Sequence, residues 1–425
     1  MTLAKHERNR ALALSSLGGG LEFYDFVIYA VFAETLGRVF FPASDPSARL
    51  LAAFAVFAAG YLVRPIGGVL FSHFGDRHGR KAMLRLSIAG MAGATVLMAL
   101  LPGYAHLGVT ASIVFVVLRM IQGLCLGGEI PGALTLITET LPKRRGFACG
   151  TLFLMINVGL LLAQAVQWLI LESLDSAEVT SFGWRIGFLV GGLIAVVGFF
   201  LRAQLSESPA FADMESKAHK VPVAALLKSH RPAVVYGFLV TSLGAATVSL
   251  LYLYMDSYLN DFLHYDSNVV SGAGLIGVVI FSLPMPLAGL LGDKIGLKAP
   301  ATLFAVLLAI AAIPVYAWIH VGQAHLLPAM LVISVIAAFA WGIGPAVLTA
   351  IFPTNVRYSG VAMVYNLGFA IVGGLTPLAA TYLIQRTGST MPPAYLLAVF
   401  AALGAVGALF ARIYPPAEDG HDSEA

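Results

Sequence analysis

Long apolar runs separated by short polar loops account for most of the chain. They fall at about 15–41, 49–73, 82–102, 108–139, 146–171 and 185–204, then at 231–256, 268–291, 299–320, 326–351, 359–385 and 393–414. A helix needs ~20 mostly apolar residues to cross ~30 Å of hydrocarbon, so the pattern predicts twelve membrane-spanning helices. The longest polar segment lies between the sixth and seventh runs and contains Ser206, Glu207, Ser208, Asp213, Glu215, Lys217 and Lys220. It reads as a linker over 205–230 between an N-terminal six-helix bundle, 1–204, and a C-terminal six-helix bundle with a short tail, 231–425.

The two halves repeat each other. SHFGDRHGRK (Ser72 to Lys81) follows the second run and GLLGDKIGLK (Gly289 to Lys298) follows the eighth, aligning Asp76 with Asp293, 217 residues apart. PKRRG after the fourth run and PTNVRYSG after the tenth keep the same register, with Gly146 and Gly360 214 residues apart. Repeated six-helix halves point to a transporter with its site between them near the bilayer midplane. With the amino terminus in the cytoplasm, Arg38, Arg49, Arg185 and Arg386 are the only Lys or Arg outside; Arg64 and Arg119 lie deep within spans, and the remaining 19 of 25 are cytoplasmic. The positive-inside rule therefore places both termini in the cytoplasm. Lys5, Arg8 and Arg10 precede the first run as in a signal peptide, but that run carries Glu22, Asp25 and Glu34 and has no clear cleavage site.

Composition sharpens the membrane reading. Hydrophobic residues make up 59% of the 425 positions and charged ones 11%, against roughly 25% charged in a soluble domain. Cores stop growing at roughly 250–300 residues, so the surplus apolar surface must face lipid. A net charge of +3, in scattered clusters, gives no nucleic-acid face. The two cysteines, Cys125 and Cys149, form neither a disulfide framework nor a metal-ligand spacing. No metal or other cofactor is expected.

The loop after the second run resembles the signature of the major facilitator superfamily, matching at Asp76, Arg77, Gly79, Arg80 and Lys81 with Ser72 in place of its first glycine. Further motifs are similar to those of its metabolite:proton symporter branch, which holds osmolyte, α-ketoglutarate, citrate and shikimate carriers. These are LEFYDF (Leu21 to Phe26), RMIQGLCLGGE (Arg119 to Glu129) followed by Glu139 and Pro142, FPTNVRYSG, and Tyr365-Asn366-Leu367-Gly368. The resemblance covers nearly the whole chain. It implies an all-α membrane protein of the major facilitator fold in a bacterial inner membrane, working as a monomer. The sugar porters' Pro-Glu-Thr after the last span is missing, and so is the long carboxy-terminal heptad segment of the branch's osmoregulator.

Ionisable groups within spans are expensive and mark pathways or proton relays by default. Counting at ~1.5 Å per residue puts Glu22, Asp25, Arg64 and Glu129 near one depth, with Arg119 about 15 Å further along span four. Three acids against two arginines leave one negative charge for a proton to neutralise. Asp25, Glu22 or Glu129 is therefore the expected coupling acid, Asp25 first because it is deeper than Glu22 and adjoins Tyr24 and Phe26. A structural Arg64–Glu129 ion pair is the plainer alternative. Arg119 suits a substrate carboxylate through its bidentate fork, or else a salt bridge to one of the acids. Arg64 and Tyr24, with Tyr365, Asn366 and Trp341 from the second half, complete the candidate binding set. Its aromatic wall leaves a betaine-like zwitterion open beside an organic acid.

The resemblance also implies a gate, in which Asp76 with Arg80 meets the start of span eleven near Ser359 and Gly360. Asp293 with Lys298 mirrors it against the start of span five near Gly146. A carboxylate on a helix amino terminus is worth roughly 0.3–2 kcal/mol. Gly18, Gly19, Gly20, Gly127 and Gly128 are expected where spans one and four cross, and Pro284, Pro286 and Pro345 at bends. No nucleophile–base set, His pair or HExxH spacing supports an enzyme. The function expected is proton-coupled symport of a small organic acid or zwitterion by alternating access, with export by proton antiport as the alternative.

Overall fold

The computed structural model describes residues 5–42, 45–68, 70, 80–203, 226, 229–354 and 356–414. Every regular element among them is helical. Ten helical stretches are long and apolar enough to cross a bilayer: 48–68, 109–140, 142–173, 176–197, 231–253, 267–295, 298–319, 323–350, 357–387 and 392–410. The other two expected spans are the helix Lys5–Val31, continued by Ala33–Phe40, and the helix Arg80–Leu100, apolar over Ala89–Leu100. Span one thus begins at Lys5, ten residues before its apolar run, because the basic stretch KHERNR continues the same helix. Apart from Leu226, Ser229 and His230, the expected linker at 205–230 lies outside the described residues.

The helices pack with a twofold repeat. Span five (Arg145–Ser173) lies against span eight (Ser267–Ser282 and Met285–Ile295), and its counterpart, span eleven (357–387), lies against span two (48–68). Within the first six, span one packs on spans five and six, and span three on span six; in the last six, span seven packs on span twelve and span nine on spans ten and twelve. In lipid the apolar effect does not hold helices together, so close backbone approach and polar contacts must. Gly146 and Gly289 serve this at the crossing of spans five and eight: a Cβ on Gly146 would meet the Gly289 carbonyl and lie 2.8 Å from Asp293 Oδ1. Gly19 and Gly20 abut Ile156, Met155 and Gly159 of span five, and Gly127 abuts Arg64 and Gly68 of span two. The expected glycine crossing of spans one and four is therefore replaced by crossings of one with five and two with four.

Helix interruptions cluster toward the centre. Span four breaks at Gly127–Gly128, between Val109–Leu126 and Glu129–Thr140. Span eight breaks at Leu283–Pro284, where proline removes a backbone donor. Pro345 sits inside the continuous helix Leu326–Ala350. Wider π turns occupy Ser249–Leu253 of span seven and Phe369–Gly373 of span eleven, and Ser249 Oγ donates to Gly373 O at 2.8 Å between them. Such turns recur at functional sites.

Candidate functional site

Arg64 and Arg119 meet at the centre. Both are fully buried, and both guanidinium carbons lie over the Phe26 ring, Arg119 at 3.9 Å and Arg64 at 5.7 Å from its centroid. Arg119 is also 4.6 Å from the Tyr29 ring and 5.5 Å from that of Phe57. Around Arg64 stand Tyr61 at 5.2 Å, Phe369 at 5.6 Å and Tyr365 at 5.8 Å. Backbone spacing along span four set Arg119 well apart from the other charges, yet long side chains on two helices close that distance on one ring.

The hydrogen bonding of these arginines is incomplete. Arg119 Nη1 donates to Phe26 O at 2.8 Å and to Gln122 Oε1 at 3.0 Å, while its Nε and Nη2 find no acceptor. None of the three Arg64 side-chain nitrogens has a well-formed hydrogen bond, and the polar group that comes near its guanidinium is the Tyr365 hydroxyl. The side chains that act electrostatically on Arg119 are Tyr29, Tyr61 and Arg64, with no carboxylate among them. Among the described residues no ion pair joins Arg119 to an acid or Arg64 to Glu129. Buried like charges with no counter-ion among the described residues make an anion-seeking site, because desolvation is repaid only by a paired, hydrogen-bonded opposite charge.

Asp25 follows a different direction. One residue of helix turns a side chain by about 100°, so Phe26 faces the arginines while Asp25 is buried against Gly191 of span six and Thr95 of span three. Its Oδ1 has no donor. Tyr24 likewise turns to span six, where its hydroxyl donates to Gly187 O at 2.8 Å. A polar thread joins the two regions: Gln122 takes the Arg119 hydrogen bond and donates through Nε2 to Thr95 Oγ1 at 2.8 Å. Glu22 belongs to the span-one helix, but its side chain is outside the described residues. Glu129 is half-buried and opens the second segment of span four.

From the second half, Asn366 Nδ2 donates to Gly127 O at 2.6 Å, tying span eleven to the break in span four, and its Oδ1 is left without a donor. Tyr365 packs on Phe369 with the rings tilted and their centroids 4.6 Å apart. Trp341 packs edge-on to Phe153 at 5.4 Å, with its indole nitrogen unpartnered. The rings Phe26, Tyr29, Phe57, Tyr61 and Phe369, and the linking Gln122 and Thr95, are site residues that sequence reasoning missed. Nothing distinguishes such aromatics from others in apolar helices, though Gln122, three residues after Arg119, carried a readable signal.

At the face bearing the repeated loops, Asp293 Oδ1 and Oδ2 accept from Gly146 N at 2.8 Å and Phe147 N at 2.9 Å, at the start of span five. Arg145 is the cation beside Asp293; Lys298 opens span nine, exposed, and no recorded ion pair among the described residues joins it to Asp293. Arg357 Nη1 lies 3.4 Å from Glu139 Oε1, a further bridge between the halves. Asp76 lies outside the described residues, and Arg80 begins the span-three helix with its side chain undescribed. At the opposite, distal face the halves also touch, through Phe54 and Tyr254 rings 5.1 Å apart and a hydrogen bond from Gln164 Nε2 to Tyr252 O at 2.8 Å.

Twelve helices in two repeated sets, closed on each other at both faces around a buried polar centre, define a secondary transporter. The Major Facilitator Superfamily profile matches residues 11–364, and the chain belongs to that superfamily, whose members are transporters and not enzymes. It is 33% identical over 413 residues to the proline/betaine transporter of Escherichia coli (strain K12), covering 93% of this chain and 82% of that one. It is also 33% identical over 408 residues to the inner membrane metabolite transport protein YhjE of the same organism, covering 93% of this chain and 92% of the relative. Among solved structures, that of a D-xylose-proton symporter superposes with a TM-score of 0.74 at 21% identity, covering 95% of this chain and 97% of that chain.

Proposed function

We propose that the protein couples an inward flow of protons to uptake of a small carboxylate-bearing metabolite, a zwitterion in first place, by alternating access. The observation that carries this reading is the pair of buried guanidiniums at Phe26 with no carboxylate beside them among the described residues. A substrate carboxylate supplies the missing charge and accepts from the free Arg119 Nε and Nη2 and from Arg64. The surrounding rings suit the cationic or apolar remainder of a proline- or betaine-like molecule, the class named for the relatives. A neutral sugar would leave both charges unpaired.

For coupling, a buried carboxyl that gains a proton in one conformation and releases it in another is needed. Asp25 fits, buried with an oxygen that lacks a donor. Glu22, on the span-one helix, and Glu129, at the span-four break, are the other candidates. Both termini are assigned to the cytoplasm, which makes the face with Asp293 and Gly146 the inner gate and the distal face the outer one. The six-helix units 1–204 and 231–425 would rock about the central site, joined by 205–230, with the monomer as the working unit.

Uptake of labelled proline, glycine betaine and simple organic acids into proteoliposomes tests the reading. An inward proton gradient should drive saturable accumulation that an uncoupler abolishes. Movement only against an opposed proton gradient would support export instead, and no accumulation of any carboxylate under either gradient would overturn the substrate assignment.

A further inference from the structure

A second buried carboxyl lies at the distal seam, apart from the arginine site. Asp256, in the short helix Met255–Phe262 that runs on from the distal end of span seven, is 6% exposed, and its Oδ2 has no hydrogen-bond partner. Across the seam, Gln164 and Gln167 project from one face of span five, three residues apart. The Gln164 Nε2 donates to Tyr252 O at 2.8 Å and the Gln167 Nε2 to Val31 O at 2.7 Å. Carbonyl oxygens accept only, so both amides must point nitrogen toward the backbone and oxygen away from it. Both amide oxygens are left without a donor, and the Ser271 hydroxyl on span eight, which can donate as well as accept, has no partner.

Gln164 and Asp256 meet at Gly274, one turn after Ser271. A Cβ there would lie 2.8 Å from Gln164 Oε1 and 3.2 Å from Asp256 Oδ1, so the two oxygens flank one small gap that the glycine leaves open. The Gln167 amide also reaches the Asp256 carboxyl, with at most its one remaining N–H to offer. Titratable groups near it on the helices packed around it include Tyr258 and Asp261 on its own helix, Tyr254 capping that helix, Tyr252 before it, Asp266 capping span eight, and Glu172 at the end of span five. None of these, and no cation, is among the groups acting on the Asp256 carboxyl. Acceptors, the two Asp256 oxygens and the two amide oxygens, therefore outnumber the donors, the Ser271 O–H and one Gln167 N–H, where burial makes an unsatisfied polar atom costly.

We propose that Asp256 is a second proton-binding site, loaded while the distal seam is closed, with its O–H donated to the Gln164 side-chain oxygen. One proton removes the negative charge and turns two opposed acceptors into a donor and an acceptor. Span five supplies Gln164 and spans seven and eight supply Asp256, Ser271 and Gly274, so parting the seam separates donor from acceptor. The carboxyl then meets water and gives its proton to it. The link to a transport cycle rests on the proton-coupled reading above; proton binding itself does not.

Infrared difference spectroscopy of the full-length protein in lipid nanodiscs, titrated with acid in an Asp261→Asn background, tests the site without any transport assay. A protonated-carboxyl C=O band should grow as pH falls, be lost on adding Asp256→Asn, and persist on adding Asp25→Asn instead. Gln164→Met, which deletes the acceptor, should move the midpoint of that band to lower pH, and this shift decides the matter if the Asp256→Asn protein does not fold. A band indifferent to both substitutions, or one displaced by sodium at fixed pH, would overturn the proposal. Failure of the uptake screen leaves these readouts untouched.

Discussion

Gln122 accepts a hydrogen bond from Arg119 at 3.0 Å and, through the other end of its amide, reaches Thr95 beside Asp25. The amide is thus the physical link between the anion-seeking centre and the acid buried behind it. Gln122→Leu would leave one Arg119 nitrogen with Phe26 O alone and strand a buried donor, a loss of about 1–3 kcal/mol. Downhill substrate flux should survive while proton-driven accumulation falls severalfold. Parallel counterflow and uphill uptake assays would show the split, and an equal loss in both would reduce Gln122 to a packing role.

Arg119 should matter to substrate and burden the empty protein. Arg119→Lys keeps the charge but loses the planar fork, and affinity should drop about tenfold or more, the effect of roughly 1.4 kcal/mol. Arg119→Met removes an unpaired buried charge, so substrate binding should vanish while the ligand-free protein becomes more stable by about 1–4 kcal/mol. Thermal unfolding with and without substrate measures both at once.

The distal face should respond to pH through Asp261, which lies past the end of span seven. Burial, then repulsion from Glu34, push its carboxyl up to about 7 against the pull of Arg38 and Arg49, from about 3.9 for a solvated aspartate. The closed face therefore holds this proton more tightly than an open, solvated one. Its closure is unpenalised below about pH 4. It weakens as pH rises toward about 7, and the penalty is complete above that value. Spin-label distances across the distal face should show more opening at alkaline pH, and Asp261→Asn should flatten that part of the response.

At the other face, the Asp293 carboxylate caps the start of span five through Gly146 N and Phe147 N. Asp293→Asn removes the charge–dipole attraction and should shift the closed-to-open ratio there by roughly two- to thirtyfold toward open. Gly146→Val should do so more strongly, since its side chain would occupy the Gly289 carbonyl. Distance distributions between labels on spans five and eight would register both changes, and unchanged distributions would remove this contact from the gate.

Much of the architecture is legible in the sequence alone. The apolar runs marked the helices, because a lipid-facing backbone must satisfy its own hydrogen bonds and a run of that length has one compact way to do so. Arg64 and Arg119 stood out since charges are rare in such runs, and Asp293 and Gly146 stood out through the repeated loops. The site's walls were not legible in the same way. Phe26, Tyr61 and Phe369 look like any aromatics in helices that are apolar all round, where no polar stripe tells one face from another. Asp256 carries no such mark at the end of an apolar run, although Gln164 and Gln167, three apart in an apolar helix, signal a polar partner.

The sequence by itself determined the number of helices, the repeat that pairs them and which few charges had to be kept within the bilayer, since each follows from the solvation of a short stretch of chain. Only the tertiary structure decided which of those charges meet. Arg64 and Arg119 share the Phe26 ring while Asp25, next in sequence to that phenylalanine, is turned to spans three and six. The reason is that helix rotation and crossing are set by contacts between segments far apart in the chain, such as Gly146 on Gly289, and no local pattern encodes them.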